Sequence, residues 1–140
     1  MSGFLLDTNI ISELIKPRPE PRVTSWVESI NETLFFLSVL SFGEIRKGIG
    51  SLADAARRFS LEAWLDSDLA VRFASKILPV DRGVADRWGH LAAEAHARNT
   101  RLPVIDGLLA ATALHHNLTL VTRNTKDVVG TGVALFNPWA

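Results

Sequence analysis

Three acidic residues carry the chemistry that this sequence suggests first. Asp7 ends an apolar strand, and Glu44 and Asp106 lie at the starts of predicted helices. Strand ends and helix starts of this kind meet at one edge of an open α/β sheet, where such folds bind ligands. Two carboxylates about 4 Å apart repel each other by roughly 4 kcal/mol at an effective dielectric constant near 20. The three acids therefore predict a divalent-cation site and metal-assisted chemistry at phosphoryl groups.

A fourth polar segment, residues 122–127, follows a predicted strand and reads Thr-Arg-Asn-Thr-Lys-Asp. Loops after parallel strands often carry functional residues. The Asn124 side chain can offer a carbonyl oxygen to a metal ion or orient a water molecule, but it brings no charge. Asp127 could supply that charge, so we include both residues in the candidate site. A polar turn between a strand and a helix is the alternative explanation of the segment.

Each acid also has a purely structural explanation. Asp is a good N-cap, so Asp7 could simply begin a helix. The sequence Ser41-x-x-Glu44 matches a capping box, in which Glu44 would bond back to the helix start. Asp106 could be a first-turn acid that interacts with the helix dipole. No single acid decides between these explanations, whereas three acids predicted at the same sheet edge favour a site.

The composition limits the classes of protein that this chain can be. Its 140 residues, 47% of them hydrophobic, are enough for a substantial core, and we expect a single domain over residues 1–140. The absence of cysteine excludes disulfides and thiolate metal sites and fits a cytoplasmic protein. Because no long apolar run occurs, we expect neither a signal peptide nor a membrane span. With 15 basic and 15 acidic residues, any contact with nucleic acid must come from a local basic patch.

Other catalytic and metal-binding motifs are missing from the sequence. His115 and His116 are adjacent on a predicted helix and face different ways, while His90 and His96 are poorly in phase, so zinc is not indicated. No Gly-x-Ser-x-Gly segment and no phosphate-binding glycine-rich loop occur. Asn9 stands where a haloacid-dehalogenase-like phosphatase needs its second acid, and the order of acids and lysines does not fit a receiver domain. The acids above therefore remain the main candidates.

The elements that position these acids alternate along the chain. This alternation predicts a mostly parallel sheet covered by helices on both faces. Apolar runs and breaker residues place the boundaries. We expect strands over 3–6, 34–37, 118–122 and 132–136, a short strand or link over 77–80, and helices over 8–16, 22–30, 41–49, 53–77 (in two pieces), 83–98 and 105–116.

The ordered set of motifs resembles the PIN domain and, more narrowly, the VapC and FitB toxins of bacterial toxin–antitoxin pairs. The similarity extends over nearly the whole chain, to the closing Phe136-Asn137-Pro138-Trp139. It is carried by Leu5-Leu6-Asp7-Thr8-Asn9-Ile10-Ile11-Ser12-Glu13, by Glu44, by Asp106-Gly107-x-x-Ala110-Ala111-Thr112-Ala113 and by Thr122-Arg123-Asn124.

This resemblance implies a three-layer α/β/α domain with a small, mostly parallel sheet, and RNA cleavage that depends on Mg²⁺ or Mn²⁺. It also implies a homodimer and a cognate antitoxin, which blocks the site and mediates any contact with operator DNA. Asp7, Glu44 and Asp106 match the family's acidic triad as metal ligands. Asn124 stands at a fourth position that is often Asp in the family. The apolar segment 108–114 favours a symmetric dimer as well.

Our leading hypothesis is a metal-dependent endoribonuclease that acts as a growth-inhibiting toxin. Asp7 and Asp106 would coordinate Mg²⁺ directly, because this ion prefers a few carboxylates and several waters. Glu44 would bind through water or orient the attacking water. Asn124 and Asp127 would help to place a second ion or that water.

Two alternatives belong to other functional classes. In one, the chain is a non-catalytic binding module that acts through its antitoxin complex on operator DNA. In the other, the same acids cleave DNA, since no motif in the sequence reports a contact with a 2′-hydroxyl group.

Overall fold

A five-stranded sheet forms the centre of the computed structural model, which describes residues 3–140. Its strands are β1 (Phe4–Leu6), β2 (Phe35–Ser38), β3 (Ile77–Leu78), β4 (Thr119–Val121) and β5 (Leu135–Phe136). The spatial order is β3-β2-β1-β4-β5, and every pairing is parallel. The chain therefore begins in the middle of the sheet, extends it to one edge, and later returns to build the other side.

Helices make all the long connections between these parallel strands. The α-helices are α1 (Thr8–Leu14), α2 (Pro21–Ser29), α3 (Val39–Gly50), α4 (Ala55–Ala63), α5 (Ala70–Arg72), α6 (Arg82–Ala97), α7 (Val104–His115) and α8 (Thr125–Val128). A π-helical segment, Trp64–Leu69, joins α4 to α5, and 3-10 turns occupy Glu32–Leu34, Ala74–Lys76 and Val129–Thr131.

The sheet buries side chains on both of its faces. Leu6 belongs to a core cluster with α1, α2 and α3, whereas its neighbour Leu5 belongs to a second cluster with α6, α7 and α8. On β4, Val121 likewise belongs to the first cluster and its neighbour Leu120 to the second. Successive residues of a strand point to opposite faces, so this division follows from the strand geometry. The predicted three-layer α/β/α fold is confirmed.

Several predicted boundaries differ from the structure. The helical stretch expected in two pieces over 53–77 is one nearly continuous run from α4 to α5, and its π-helical segment keeps Leu65 and Leu69 buried. The helix expected over 41–49 begins at Val39, after the N-cap Ser38. The strand expected from residue 132 is shorter, because Gly132 adopts a left-handed turn with φ of 81°.

The apolar helix α7 is an internal element of the fold. Four of its residues, Leu109, Ala110, Ala111 and Ala113, are buried in the second core cluster. The sequence-based argument that the segment 108–114 supplies a dimer surface is therefore wrong, because the domain's own sheet and α6 cover most of it. No helix within residues 3–140 is both long and apolar enough to cross a membrane.

Candidate active site

The acidic residues gather where β1 and β4 lie side by side. These two central strands continue in opposite directions along the sheet order, which makes their carboxyl ends a topological switch point. Asp7 directly follows β1, and its backbone N–H donates to the Val121 carbonyl of β4 over 2.9 Å. Asp7 therefore lies at the edge of the sheet where the order of elements predicted a site.

Several hydrogen bonds hold the buried carboxylate of Asp7, which is only 5% exposed. Its Oδ1 accepts from the Thr8 backbone N–H over 2.6 Å, and its Oδ2 accepts from the Thr122 hydroxyl over 2.7 Å. Asn9 Nδ2 donates to the same Oδ2 over 3.3 Å. Asp7 is also the N-cap residue of α1, so its capping and site explanations are compatible.

Thr122 is a site residue to which the sequence alone assigned no role. Its side chain is buried, and its hydroxyl donates to Asp7 while accepting from the Asn124 backbone N–H over 3.0 Å. The hydroxyl thereby joins the loop after β4 to the loop after β1. The available signal was a hydroxyl residue at the end of a strand predicted to neighbour the first one.

Glu44 is held by threonine and not by its own helix. The Thr8 hydroxyl donates to Glu44 Oε1 over 2.6 Å and lies 3.1 Å from the hydroxyl oxygen of Ser41, which is fully buried. Ser38 caps α3 by accepting from the Leu40 N–H. The capping-box alternative for Ser41 and Glu44 is therefore wrong, because both residues lie inside the helix and connect it to α1.

Asp106 lies in the first turn of α7, three residues after Pro103. Gly107 lets this turn pack closely: a Cβ at that position would lie 3.0 Å from Leu102 Cδ2 and 3.1 Å from Trp88 Cδ1. Leu102 and Trp88 thus fix the start of α7 and, with it, the position of Asp106.

The carboxyl groups of the candidate site influence one another's pKa values. The pKa of Asp7 is raised to about 6, above all by burial and then by the negative charges of Asp106 and Glu44. Hydrogen bonds from Thr122 and Thr8 oppose that increase. The pKa of Asp106 is also raised, first by burial and then by the charges of Asp127 and Glu44. The site is therefore short of positive charge.

Asn124 and Asp127, the two candidates for the fourth site residue, have different surroundings in the structure. Asp127 belongs to the group of interacting carboxylates through its effect on Asp106. Asn124 is the N-cap residue of α8, is exposed, and contributes its backbone N–H to Thr122. Within the described chain, its side chain makes no hydrogen bond. Asp127 thus adds a negative charge near Asp106, whereas Asn124 takes part only through the hydrogen bond from its backbone N–H to Thr122.

The donor chemistry of this site suits a hard divalent cation, because every candidate ligand is a carboxylate or an amide oxygen. Over residues 3–140, however, no group of three His, Cys, Asp or Glu side chains is arranged to hold a metal ion. Mg²⁺ usually keeps several waters and needs only one or two direct carboxylates. The buried Asp7 and its electrostatic neighbour Asp106 can provide such a pair.

Comparison with known proteins agrees with this arrangement. The PIN domain family model matches residues 4–127. Toxin FitB of Neisseria gonorrhoeae is 36% identical over 97% of this chain and 98% of its own length. The VapC ribonuclease Y4jK of Sinorhizobium fredii is 30% identical over 97% of both chains. A solved structure of FitAB bound to an IR36 DNA fragment contains a chain that superimposes with a TM-score of 0.92. That chain is 34% identical, with coverage of 98% of this chain and 96% of the other.

The matched region contains all four interacting carboxylates, and the two relatives extend the similarity over almost the entire chain. This chain belongs to the PIN domain family and is similar within it to the FitB toxin and a VapC ribonuclease.

Proposed function

We propose that this protein is a metal-dependent endoribonuclease and the toxin of a toxin–antitoxin pair. The observation that carries the proposal is the buried carboxylate of Asp7, which Thr8 and Thr122 hold where β1 and β4 end, with Glu44 bonded to the same Thr8. The relatives of this chain include a named VapC ribonuclease and a named toxin. Burial and, after it, neighbouring negative charges raise the pKa values of Asp7 and Asp106, and a divalent cation would compensate those charges.

Asp7 and Asp106 are the residues that would hold Mg²⁺ or Mn²⁺, with Glu44 bound directly or through water. When bound, such an ion supplies charge neutralisation at the scissile phosphate and a more acidic water. The protein positions these groups: Thr122 and Asn9 fix Asp7, and Thr8 fixes Glu44. Residues of this kind orient ligands and affect activity through them.

The reaction needs an oriented water molecule next to the phosphorus atom. Glu44 is suited to orient it, because Thr8 occupies only Oε1 and the side chain is partly exposed. Asp127 is suited to hold a further cation or water near Asp106. Asn124 would act at the same place through its amide oxygen, as its position in the resembling motif implies.

The test is cleavage of a structured RNA by the purified protein with Mg²⁺ or Mn²⁺, followed by mapping of the new 5′ ends. Asp7→Asn and Asp106→Asn should each lower the rate by at least 100-fold without loss of the fold, measured by circular dichroism. Asp127→Asn should lower it more than Asn124→Ala. Full cleavage by a folded Asp7→Asn protein would contradict the proposal, and cleavage of DNA alone would favour the deoxyribonuclease alternative.

The antitoxin partner is proposed from the toxin and FitAB comparisons and from an apolar cavity of about 420 Å³. A second, adjacent cavity of about 680 Å³ includes Phe59, which is 75% exposed. The first cavity has acidic residues at its rim, and Arg72 there is already paired with Glu32. An apolar antitoxin segment that carries basic residues would fit this surface. The apolar lining consists of Leu6, Ile11, Leu14, Ile15, Val27, Ile30, Phe35, Trp64, Leu69 and Phe73.

The same proposal includes the assembly and location of the protein. We propose one PIN domain over residues 1–140, a homodimer, and a cytoplasmic protein that reaches operator DNA only through its antitoxin. Light scattering of the isolated chain should give twice its 15.4 kDa mass. A monomer at micromolar concentration would contradict the homodimer.

A further inference from the structure

A small cleft with a basic rim lies next to the acidic site. Its volume is about 160 Å³, and it lies where the end of α6 and the α6–α7 loop meet α8 and the turn that follows. Leu91 and Ala95, both buried, form an apolar part of its wall together with Leu102. We call it the basic cleft, and its charged residues are Arg98, Arg101, Lys126 and Asp127.

Two of the three cations of the basic cleft, Arg101 and Lys126, are available to a ligand. In the described part of the chain, neither Arg101 nor Lys126 has a carboxylate oxygen within the 4.0 Å limit of an ion pair. Both residues are exposed. Arg98 is held in place instead, because its Nη2 donates to the Gly130 carbonyl over 3.2 Å and its Nη1 lies 3.9 Å from Glu94. The rim thus combines one fixed cation with two unpaired ones.

Asp127 connects this cleft to the acidic site. It lines the basic cleft, and its charge is one of those that raise the pKa of Asp106. The acidic site and the basic cleft therefore meet at Asp127, and a phosphate chain that passes this residue would run from one region to the other. Since the protein has a formal net charge of zero, such a local patch is what attraction of a polyanion requires.

We propose that the basic cleft binds the nucleotide next to the scissile bond in single-stranded RNA. This inference rests on the proposed ribonuclease function. Arg101 and Lys126 bind the phosphate, as unpaired Arg and Lys side chains do in nucleic-acid complexes. The base lies against the apolar wall of Leu91, Ala95 and Leu102.

The shape of the cleft selects the class of ligand. A base in a stacked duplex cannot enter a recess of about 160 Å³ without leaving its neighbours, whereas bases in single-stranded loops are already free to do so. Thr100 and Thr131 add hydroxyl groups to the lining. Both hydroxyls donate to backbone carbonyls, of Ala95 over 3.1 Å and of Val128 over 2.6 Å, and Thr131 also accepts from the Val133 N–H over 3.3 Å. The Thr100 hydroxyl therefore keeps its acceptor capacity for a ligand. The basic cleft is therefore a site for an unstacked nucleotide.

Binding can be measured separately from cleavage in an Asp7→Asn background, with a fluorescently labelled 12-nucleotide single-stranded RNA as the probe. Arg101→Gln/Lys126→Gln should weaken binding by on the order of tenfold at 0.1 M salt, because each lost contact involves charged hydrogen bonds. The slope of log affinity against log salt concentration should fall in magnitude by about 1.4, the value for two lost phosphate contacts on a single strand.

The matched control is Arg57→Gln/Arg82→Gln. These arginines are also exposed and without an ion pair in residues 3–140, but Arg57 lies on α4 and Arg82 lies at the opposite end of α6 from Arg98. The control should keep both affinity and salt slope. An equal loss in the control would show diffuse attraction and overturn the cleft. A duplex RNA of the same sequence should lose less affinity than the single strand in the cleft variant, and an equal loss would overturn the nucleotide site.

Cleavage by the otherwise wild-type protein separates the two proposals. With Asp7 present, Arg101→Gln/Lys126→Gln should raise KM about tenfold with kcat nearly retained, since the acidic site is intact. Normal cleavage and normal KM in this variant would overturn the basic cleft alone. If the wild-type protein neither binds nor cleaves RNA, the ribonuclease proposal fails, and the basic cleft fails with it.

Discussion

The fold has two opposite effects on the ionised form of the Asp7 carboxyl group. Hydrogen bonds from Thr8, Thr122 and Asn9 favour the ionised form, but burial and the neighbouring negative charges outweigh them. The net effect raises the pKa of Asp7 to about 6. A residue with this property is poised to exchange a proton for a cation near neutral pH, which is the behaviour expected of a functional carboxylate.

The raised pKa of Asp7 predicts a pH-dependent difference between the wild-type protein and Asp7→Asn. The native state binds more protons than the unfolded state between the ordinary pKa of 3.8 and about 6, so this group lowers wild-type stability as pH rises through that window. Without metal, Asp7→Asn should gain stability relative to wild type from pH 4 to pH 7, by at most roughly 3 kcal/mol. Urea unfolding at both pH values measures the difference.

The control for that experiment is Glu28→Gln, which removes an exposed acid outside the site. Its stability difference from wild type should stay nearly constant between the two pH values. A stability difference for Asp7→Asn that does not change with pH would count against a raised pKa of Asp7.

The same pKa predicts that the half-saturating Mn²⁺ concentration for cleavage rises as pH falls below 6, because protons then compete for Asp7.

Glu44 and Thr8 allow catalysis and positioning to be told apart. Glu44→Gln keeps an oxygen acceptor for the Thr8 hydroxyl, so its free energy of unfolding should stay within about 1 kcal/mol of wild type. Its cleavage rate should nevertheless fall at least 100-fold. Thr8→Val removes the hydroxyl that holds Glu44 but keeps the Glu44 carboxyl group, and should lower kcat by about 10- to 100-fold. Normal cleavage by Glu44→Gln would limit Glu44 to a structural role.

At the scale of elements, the contact between α6 and α7 determines where Asp106 lies. Gly107 packs so closely against Trp88 of α6 and Leu102 of the preceding loop that an added Cβ would lie only 3.0–3.1 Å from them and would require them to move. This close approach is possible because the residue after the acid is glycine. The candidate site thus depends on a helix pair as well as on the strand ends.

Gly107→Ala should therefore destabilise the fold and displace Asp106. Overpacking of this kind costs typically 1–3 kcal/mol, and cleavage should fall further than stability explains. Gly48→Ala is the matched control, because it also lies within a helix but its added Cβ would meet no atom within 4 Å. It should stabilise the protein by about 0.4–1 kcal/mol and leave cleavage unchanged. Equal melting temperatures for the two variants would refute the packing argument.

The same elements show how far the sequence alone could lead. The position of Asp7 at a strand end could be predicted from the apolar run before it, and that of Asp106 at a helix start from Pro103. The start of α3 was ambiguous, because Ser38 and Ser41 are both good caps and only tertiary contact with Thr8 commits Ser41 to the helix interior.

Thr122 was not assigned a role for a related reason. A hydroxyl residue between a strand and a polar turn has an ordinary local explanation. Its contact with Asp7 spans 115 positions of the chain and exists only because β4 pairs with β1. The fold class followed from local patterns, whereas the hydrogen bonds that complete the site required the strand order.

At the scale of the whole molecule, a formally neutral chain separates its charges and apolar surface into distinct regions. The acidic site and the basic cleft share Asp127, so negative and positive groups adjoin at one edge. The apolar cavity lies instead among α1, α2 and the π-helical segment. A polyanionic substrate and an apolar protein partner can therefore contact different surfaces.

This separation predicts that antitoxin binding can be weakened without loss of RNA cleavage. Phe59→Ser removes an apolar side chain that is 75% exposed and lines the cavity adjoining the apolar cavity. It should weaken the complex with the antitoxin at least tenfold, because a buried aromatic contact at an interface often contributes more than 1.4 kcal/mol.

Val71→Ser is the control, since Val71 is 71% exposed but lines neither cavity. Calorimetric titration with the product of a short reading frame upstream of the gene would measure both affinities, and RNA cleavage by both variants should equal that of wild type. Equal affinities for Phe59→Ser and Val71→Ser would place the antitoxin on another surface.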